Sequence, residues 1–220
     1  MTDTEIIEAT VAFVKSTLKG AESGHDWFHT QRVFNNTILI AKDEKVDVLT
    51  ASLAALLHDI ADAKFHDGDE TIGPKRAIDF LSSIAVEHTI IDHVVKIIEN
   101  ISFKNSFDET RKGQFNSREL QVVQDADRLD AIGAIGIARA FNYGGYKNRE
   151  LYNPDIPPRL NLTKEEYKTS ITPTINHFYE KLLLLKYKMN TKTGKKLAEK
   201  RHQFLLDYLD RFYAEWEGKL

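Results

Sequence analysis

The sequence predicts an all-α protein, and three observations carry that prediction. Apolar residues recur at spacings of three and four along almost the whole chain, as on one face of an α-helix. Strict alternation of apolar and polar residues with β-branched character, which would indicate strands, is hard to find. The 220 residues, 42% of them hydrophobic, are enough to bury one sizeable core. We therefore predict a single domain over residues 1–220, without an internal repeat or a linker.

Apolar spacing and end signals place eight helices along the chain. Gly20 is predicted to end the first helix, because glycine adopts the left-handed C-cap conformation without steric cost. The third helix is apolar on most of its circumference, which predicts a central position. Gly73-Pro74 marks the start of the fourth, since proline suits the first turn of a helix. The predicted helices cover about residues 6–18, 26–42, 46–63, 74–81, 87–100, 118–142, 164–188 and 193–216.

Two long connections interrupt the helical pattern. Residues 102–117 are polar, and residues 143–162 contain three of the five prolines of the chain. Connections of this length in a compact domain are commonly functional or disordered. Tyr143, Tyr146 and Tyr152 argue against disorder in the second one, because aromatic residues favour packing.

Composition limits the classes of partner and of chemistry. With 30 Lys and Arg against 33 Asp and Glu, the net charge of -3 calls for neither nucleic acid nor an anionic membrane as a partner. No run approaches the roughly 20 apolar residues of a membrane span, so we expect a cytoplasmic protein without a membrane partner. The absence of cysteine excludes thiolate nucleophiles and Cys-based metal sites. Any metal must therefore be held by histidines and carboxylates.

Histidines beside acidic residues are the most informative polar groups. His25 and His29 lie four residues apart, a spacing that is weak evidence for a metal by itself. His58 and Asp59 interrupt the most apolar helix, where buried ionisable groups are costly unless they are paired or coordinated. Pairing with neighbours at the surface is the alternative explanation. Asp62 projects toward the same side of the predicted helix as these two residues.

Two further acidic residues occur near the middle of the chain. Asp127 and Asp130 lie three residues apart in a segment that is otherwise small and apolar. Gly133 and Gly136 would let another helix approach this segment closely. A structural ion-pair network with Arg128 is the alternative to a functional role for these carboxylates. The remaining histidines have no partner at a convincing spacing and are expected to be exposed or locally satisfied: His66, His88, His93, His177 and His202.

Together these segments offer a plausible set of ligands for a metal. His29, His58-Asp59 and Asp127 supply two imidazoles and two carboxylates, which neutralise a divalent cation. The donor set suits Mn²⁺, which we favour, while Fe²⁺, Zn²⁺, Co²⁺ and Ni²⁺ stay open and Mg²⁺ is less natural. Four protein ligands leave positions for water and for a substrate oxygen, so the implied chemistry is hydrolysis.

The order His, His-Asp, Asp resembles that of the HD-domain superfamily of metal-dependent phosphohydrolases. The local sequences HDWFHTQRV, LLHDIADAKF, QDADRLDAIGAIGIARAF and MNTKTGKKLAEKR resemble bacterial HD hydrolases that include small nucleotide pyrophosphohydrolases. The resemblance spans nearly the whole chain. It implies a helical bundle with both long connections over the metal site, a metal-binding core at about residues 24–140 and C-terminal helices at about 163–217.

The resemblance also implies roles for individual residues. The four proposed ligands match those of the family, and Asp127 is chosen over Asp125 and Asp130 because it lies in the A-D-R segment. Asp62 matches an acid that orients or deprotonates the attacking water. The candidates for phosphate contacts, followed by the weaker ones, are Arg32 and Lys64, then Lys104, Arg128 and His25.

One departure from the superfamily pattern narrows the range of activities that we expect. The (p)ppGpp hydrolases carry a Glu-Asp pair where this chain has Asp62-Ala63, which counts against that activity. The extra histidine ligands of dinuclear phosphodiesterases are not evident between residues 59 and 127, so a mononuclear site is favoured.

The expected reaction is the hydrolysis of a nucleoside triphosphate to the monophosphate and pyrophosphate by a metal-activated water. The expected partner is thus a small phosphorylated substrate, a nucleotide, with both long connections shaping its pocket. The alternatives are a phosphomonoesterase or cyclic-nucleotide phosphodiesterase with the same metal site, and a non-catalytic module that senses nucleotides. The oligomeric state is left open.

Overall fold

The computed structural model describes residues 1–21, 26–61, 69, 71–101, 115–160 and 172–220. These residues form helices and no strands, which confirms the all-α prediction. The α-helices are α1 (Asp3–Thr17), α2 (Trp27–Ala41), α3 (Val48–Leu57), α4 (Ile72–Ser83), α5 (His88–Asn100), α6 (Arg118–Asp130), α7 (Gly133–Tyr146), α8 (Thr174–Glu180) and α9 (Lys192–Trp216). A 3₁₀ helix, Leu182–Lys188, lies between α8 and α9.

The described residues form two compact units, Met1–Asp127 and Arg128–Leu220. In the first unit, α3 packs against α1, α2 and α5, while α4 packs against α5. Every residue of α3 from Leu49 to Leu57 is buried, which confirms its predicted central position. The prediction of one domain, with its core at residues 24–140 and its C-terminal helices at 163–217, stays a prediction.

Side-chain caps mark where α2 and α3 begin. Asp26 precedes α2, and its carboxylate accepts a hydrogen bond of 2.9 Å from the backbone N–H of His29. Asp47 caps α3 in the same way through the N–H of Thr50, at 2.6 Å. The cap at Asp26 therefore fixes the first turn of α2, which is the turn that carries His29.

Two predicted helices are shorter or broken in the structure. Helix α3 ends at Leu57, with His58 as its C-cap, rather than continuing to residue 63. The helix predicted over 118–142 is two helices, because Gly133 has a φ of 76° and the chain turns there. A Cβ at Gly133 would lie 3.1 Å from the side chain of Arg201, so a larger residue would require that side chain to shift as well.

The second unit is built on aromatic packing around α9. Helix α9 packs against α7 and the 3₁₀ helix, and α8 packs against both of these as well. Phe178, which is fully buried, lies 5.9 Å from Phe141 and 5.9 Å from Tyr208 between ring centroids. Tyr152 packs against Trp216 at 5.1 Å, so this tyrosine of the second long connection has a packing role.

Predictions for the later part of the chain need three corrections. Residues 164–188 were predicted as one helix, but α8 and the 3₁₀ helix are separated at Lys181, whose φ of -142° and ψ of -57° are not helical. The connection predicted over 143–162 is helical as far as Tyr146. His202 is neither exposed nor satisfied, since it is buried and its Nδ1 has no hydrogen-bond partner in the described part of the chain.

Acid is expected to destabilise the second unit through His177. Burial, reinforced by the positive charges of Lys181 and Arg149, lowers the pKa of His177 from 6.5 to about 3. Between these values the unfolded chain binds a proton that the folded chain does not bind. The free energy of unfolding should therefore fall as the pH drops below 6.5, by at most about 1.4 kcal/mol per pH unit from this group.

Urea unfolding between pH 6.5 and 4 measures this effect. His177→Gln cannot take up the proton and should show a flatter dependence on pH than the wild type. His88→Gln is the control, because the His88 side chain is 86% exposed and should leave the slope unchanged. A wild-type slope in His177→Gln would contradict the prediction.

None of the helices that the structure describes combines the length and the apolar character that a membrane crossing requires.

Candidate metal centre

Four of the predicted site residues come together within the first unit. His29 lies in the first turn of α2, His58 and Asp59 directly follow α3, and Asp127 lies near the end of α6. His29 Nε2 is 3.4 Å from Asp59 Oδ2 and 3.5 Å from Asp127 Oδ1. His58 Nε2 is 3.5 Å from Asp59 Oδ2. Three separate helices thus deliver two imidazoles and two carboxylates to one place.

The cluster is graded from the interior to the surface. The side chains of His29 and His58 are 2% and 3% exposed, whereas those of Asp59 and Asp127 are 19% and 39% exposed. The two imidazoles are therefore buried, and the two carboxylates lie closer to solvent.

The hydrogen bonding of His58 tests whether the residues fit a metal. His58 Nδ1 lies 2.8 Å from the carbonyl oxygen of Ala55, which can only accept, so Nδ1 carries the proton. In the neutral ring Nε2 then presents its lone pair. This Nε2 is buried and has no hydrogen-bond partner among the described residues. An imidazole held through one nitrogen, with the other available, is the usual arrangement of a metal-ligating histidine.

Geometry and charge agree with the same assignment. Nitrogen and oxygen atoms of His29, His58 and Asp59, one from each residue, all lie within 4.8 Å of one another. Adding Asp127, whose Oδ1 is 3.5 Å from His29 Nε2, gives two carboxylates with two imidazoles. The group of His29, His58 and Asp59 could bind a divalent cation, and the carboxylate of Asp127 beside His29 would supply the second negative charge that neutralises it. The residues present therefore fit a divalent ion.

The neighbouring acids of α6 have a different environment. Asp130 is 1% exposed, and its carboxylate accepts a hydrogen bond from Arg139. Arg128, a weak candidate for a phosphate contact, is 7% exposed and donates to the carbonyl oxygen of Lys188. The ion pair that the structure shows for Asp130 is with Arg139 and not with Arg128, the partner considered for this segment, while Asp127 lies beside His29.

Of the two main candidates for phosphate contacts, only Arg32 lies among the described residues. Arg32 lies on α2, three residues after His29, and is half-buried. The other predicted catalytic or substrate-binding residues lie outside the described residues: His25, Asp62, Lys64 and Lys104. His66, which was set aside, lies outside them as well.

Two residues that support the site were missed at the level of sequence. Asp26 caps the turn that carries His29, and its position three residues earlier is a recognisable N-cap signal. Asn36 donates from Nδ2 to the carbonyl oxygen of Ala126, at 3.2 Å. Asn36 and Ala126 are 90 residues apart in the chain, and no local sequence pattern indicates that they meet.

Helices that bring a His, His-Asp, Asp set together define a metal-binding hydrolase of the HD class. The family model described as "HD domain" matches residues 27–132. The uncharacterised protein YpgQ of Bacillus subtilis is 36% identical over 210 residues, covering 94% of this chain and 91% of the relative. This chain belongs to the HD-domain superfamily of metal-dependent phosphohydrolases.

Solved structures give the same family. The crystal structure of an HD-superfamily hydrolase from Bacillus thuringiensis is 42% identical, with a TM-score of 0.79, and the match covers 98% of this chain and 99% of the other. The crystal structure of Bacillus subtilis YpgQ in complex with ADP is 34% identical, with a TM-score of 0.76, and covers 98% and 97%. The predicted superfamily, the hydrolase class and the metal-binding class are confirmed.

Proposed function

We propose that this protein hydrolyses nucleoside triphosphates to nucleoside monophosphates and pyrophosphate, using a divalent ion held by His29, His58, Asp59 and Asp127. Mn²⁺ is the favoured ion, because imidazole and carboxylate ligands together suit it better than they suit Mg²⁺. The observation that carries the metal site is the buried Nε2 of His58, which has no hydrogen-bond partner in the described chain and lies beside Asp59.

A nucleotide as substrate is supported by a relative. YpgQ of Bacillus subtilis, 34% identical and matched over 98% of this chain, was crystallised with ADP. ADP contains both the nucleoside and the α and β phosphates that the proposed reaction involves. A nucleotide that enters from the solvent side of the cluster would meet the exposed carboxylate of Asp127 first, so its negative phosphates require compensating charge.

The proposed mechanism assigns a task to each residue. When bound, a divalent ion polarises a phosphoryl oxygen and makes water more acidic. Ala55 holds His58 in the tautomer whose Nε2 can bind the ion. Asp62 would accept a proton from the attacking water, an assignment that rests on the family resemblance. Arg32 and Lys64 would stabilise the charge on the phosphate oxygens.

Atoms and charge balance in this reaction. Water attacks the α-phosphorus, and the bond from that phosphorus to the oxygen bridging to the β-phosphate breaks. Pyrophosphate leaves with the bridging oxygen, and the proton taken up by Asp62 passes to solvent. The products are therefore the nucleoside monophosphate and pyrophosphate, with no orthophosphate formed directly.

A turnover screen tests the proposal. The purified protein is incubated with nucleoside triphosphates, a cyclic nucleotide and a phosphomonoester, each with Mn²⁺, Mg²⁺, Co²⁺ or Ni²⁺, and both pyrophosphate and orthophosphate are measured. Pyrophosphate and the monophosphate in equal amounts support the proposal. Release of orthophosphate from the phosphomonoester alone would identify a phosphomonoesterase, and ring opening of the cyclic nucleotide would identify a cyclic-nucleotide phosphodiesterase. Binding of nucleotide without any turnover would favour a sensing module instead.

A further inference from the structure

The buried amide of Asn36 joins the two helices that carry His29 and Asp127. Asn36 is 8% exposed, and its Nδ2 donates to the carbonyl oxygen of Ala126 at 3.2 Å. Ala126 is fully buried and immediately precedes Asp127. The hydrogen bond from α2 therefore reaches α6 one residue away from a proposed metal ligand.

The same face of α2 touches α6 at two points. His29 and Asn36 are seven residues apart, which is two helical turns, or about 10 Å along the helix axis. His29 approaches Asp127 at one point, and Asn36 binds Ala126 at the other. Both contacts reach α6 at neighbouring residues, Ala126 and Asp127, so together they fix where this part of α6 lies along α2.

Asp127 depends more on this constraint than the other proposed ligands do. His58 and Asp59 are adjacent in sequence, and they lie with His29 in one tight group. Asp127 comes from α6, and at 39% exposure its side chain is the least held by packing. A metal site needs its ligand atoms placed within about 0.5 Å. A hydrogen bond is directional, whereas apolar burial is not, so the contact of Asn36 can set the position of α6.

We infer that Asn36 is a positioning residue for the metal centre and acts by holding the Asp127 carboxylate at the correct distance from His29. The inference rests on the proposed function, because it assumes that these residues bind a metal. Asn36 itself does not touch the ion or the substrate. Its effect should therefore appear in metal affinity, and it should disappear when Asp127 is absent.

Calorimetric titration of the metal-free full chain with Mn²⁺ tests this coupling. Asn36→Leu removes the amide and keeps a similar volume, and it should weaken Mn²⁺ binding about 10-fold, the lower end of the usual effect for groups that orient ligands. Asn36→Leu combined with Asp127→Ala should bind Mn²⁺ no more weakly than Asp127→Ala alone. A residue that only stabilises the fold would not give this lack of additivity.

Thr37→Val is the matched control. Thr37 is the next residue of α2, is fully buried, and its hydroxyl has no hydrogen-bond partner in the described chain. Removing that hydroxyl should leave Mn²⁺ affinity unchanged. If Asn36→Leu does not fold, as judged by circular dichroism, Asn36→Ala replaces it in the same comparison.

Each outcome separates this inference from the proposed function. Wild-type affinity in the folded Asn36 variant, or additive losses in the double variant, would overturn the positioning role while leaving the metal site intact. If Asp127→Ala leaves Mn²⁺ binding unchanged, the proposed ligand set is wrong and the inference falls with it. Weaker binding in Asn36→Leu, together with no further loss in the double variant, supports the inference.

Discussion

Replacing Asp59 by Asn is expected to lower Mn²⁺-dependent turnover of nucleoside triphosphate by about 10³-fold. Asp59 Oδ2 lies within 3.5 Å of Nε2 of both His29 and His58, so this oxygen is central to the cluster. The amide keeps the shape of the side chain but removes the charge that attracts a cation. A Lewis-acid metal supplies several kcal/mol of transition-state stabilisation, which corresponds to a change of this size in rate.

Turnover and metal binding should be lost together. The kcat/KM for pyrophosphate release measures turnover. The rise of Tm on addition of Mn²⁺ measures metal binding, because an ion bound only by the folded state stabilises that state. The control is Asp92→Asn, since Asp92 also lies near a histidine, His88, at 3.2 Å, but on the exposed surface of α5. Full turnover in Asp59→Asn, or an undiminished rise of Tm with Mn²⁺, would contradict the assignment.

The helical fold could be predicted from sequence because its determinants are local. Apolar spacing identified α3 as the central helix, and its residues from Leu49 to Leu57 are indeed buried. Part of the metal cluster could be predicted from sequence for a related reason. Histidine and aspartate are costly inside an apolar helix, so His58-Asp59 indicated that something must compensate them. The structure brings that pair together with His29 and Asp127.

The ends of the helices depended on contacts that the sequence does not display. Periodicity runs through residues 118–142 without a clear stop, and the break at Gly133 becomes evident only with its φ of 76° and the nearby side chain of Arg201. Arg201 donates to the carbonyl oxygen of Leu129, near the end of α6. A carbonyl satisfied by an arginine 72 residues later cannot be inferred from local spacing.

The roles of the two acids of α6 were also ambiguous. Asp127 and Asp130 are the same residue type, three positions apart on one helix. Both lie in an apolar segment, so the residues alone left their roles open, and only the family resemblance selected Asp127 as the metal ligand. The structure distinguishes them by burial, because Asp127 is 39% exposed beside His29 and Asp130 is 1% exposed beside Arg139.

Asp130→Ala is therefore expected to lower the free energy of unfolding by about 3 kcal/mol, the lower end of the range for breaking a buried ion pair. Arg139 Nη1 contacts both the carboxylate and, at 3.3 Å, the backbone carbonyl oxygen of Asp130. Asp130→Ala removes the carboxylate from this contact and leaves the charge of the guanidinium without it. The Arg139 side chain is 29% exposed, so solvent compensates part of the loss and the upper end of that range is not expected.

Urea unfolding in metal-free buffer measures this loss, and Asp127→Ala provides the matched comparison on the same helix. Asp127 has another carboxylate, Asp59, close to the same imidazole nitrogen of His29, so without metal its removal also relieves repulsion between like charges. The Asp127 variant should thus keep wild-type stability within about 0.5 kcal/mol, the usual range away from buried networks, yet lose Mn²⁺ affinity. A stable Asp130→Ala, or an Asp127→Ala destabilised to the same degree, would show that burial does not separate the two roles. The expected pattern, a destabilised Asp130→Ala beside a stable Asp127→Ala that binds Mn²⁺ more weakly, would mean that one turn of α6 holds a structural acid and a metal-binding acid. The exposure of each carboxylate would then distinguish the two roles.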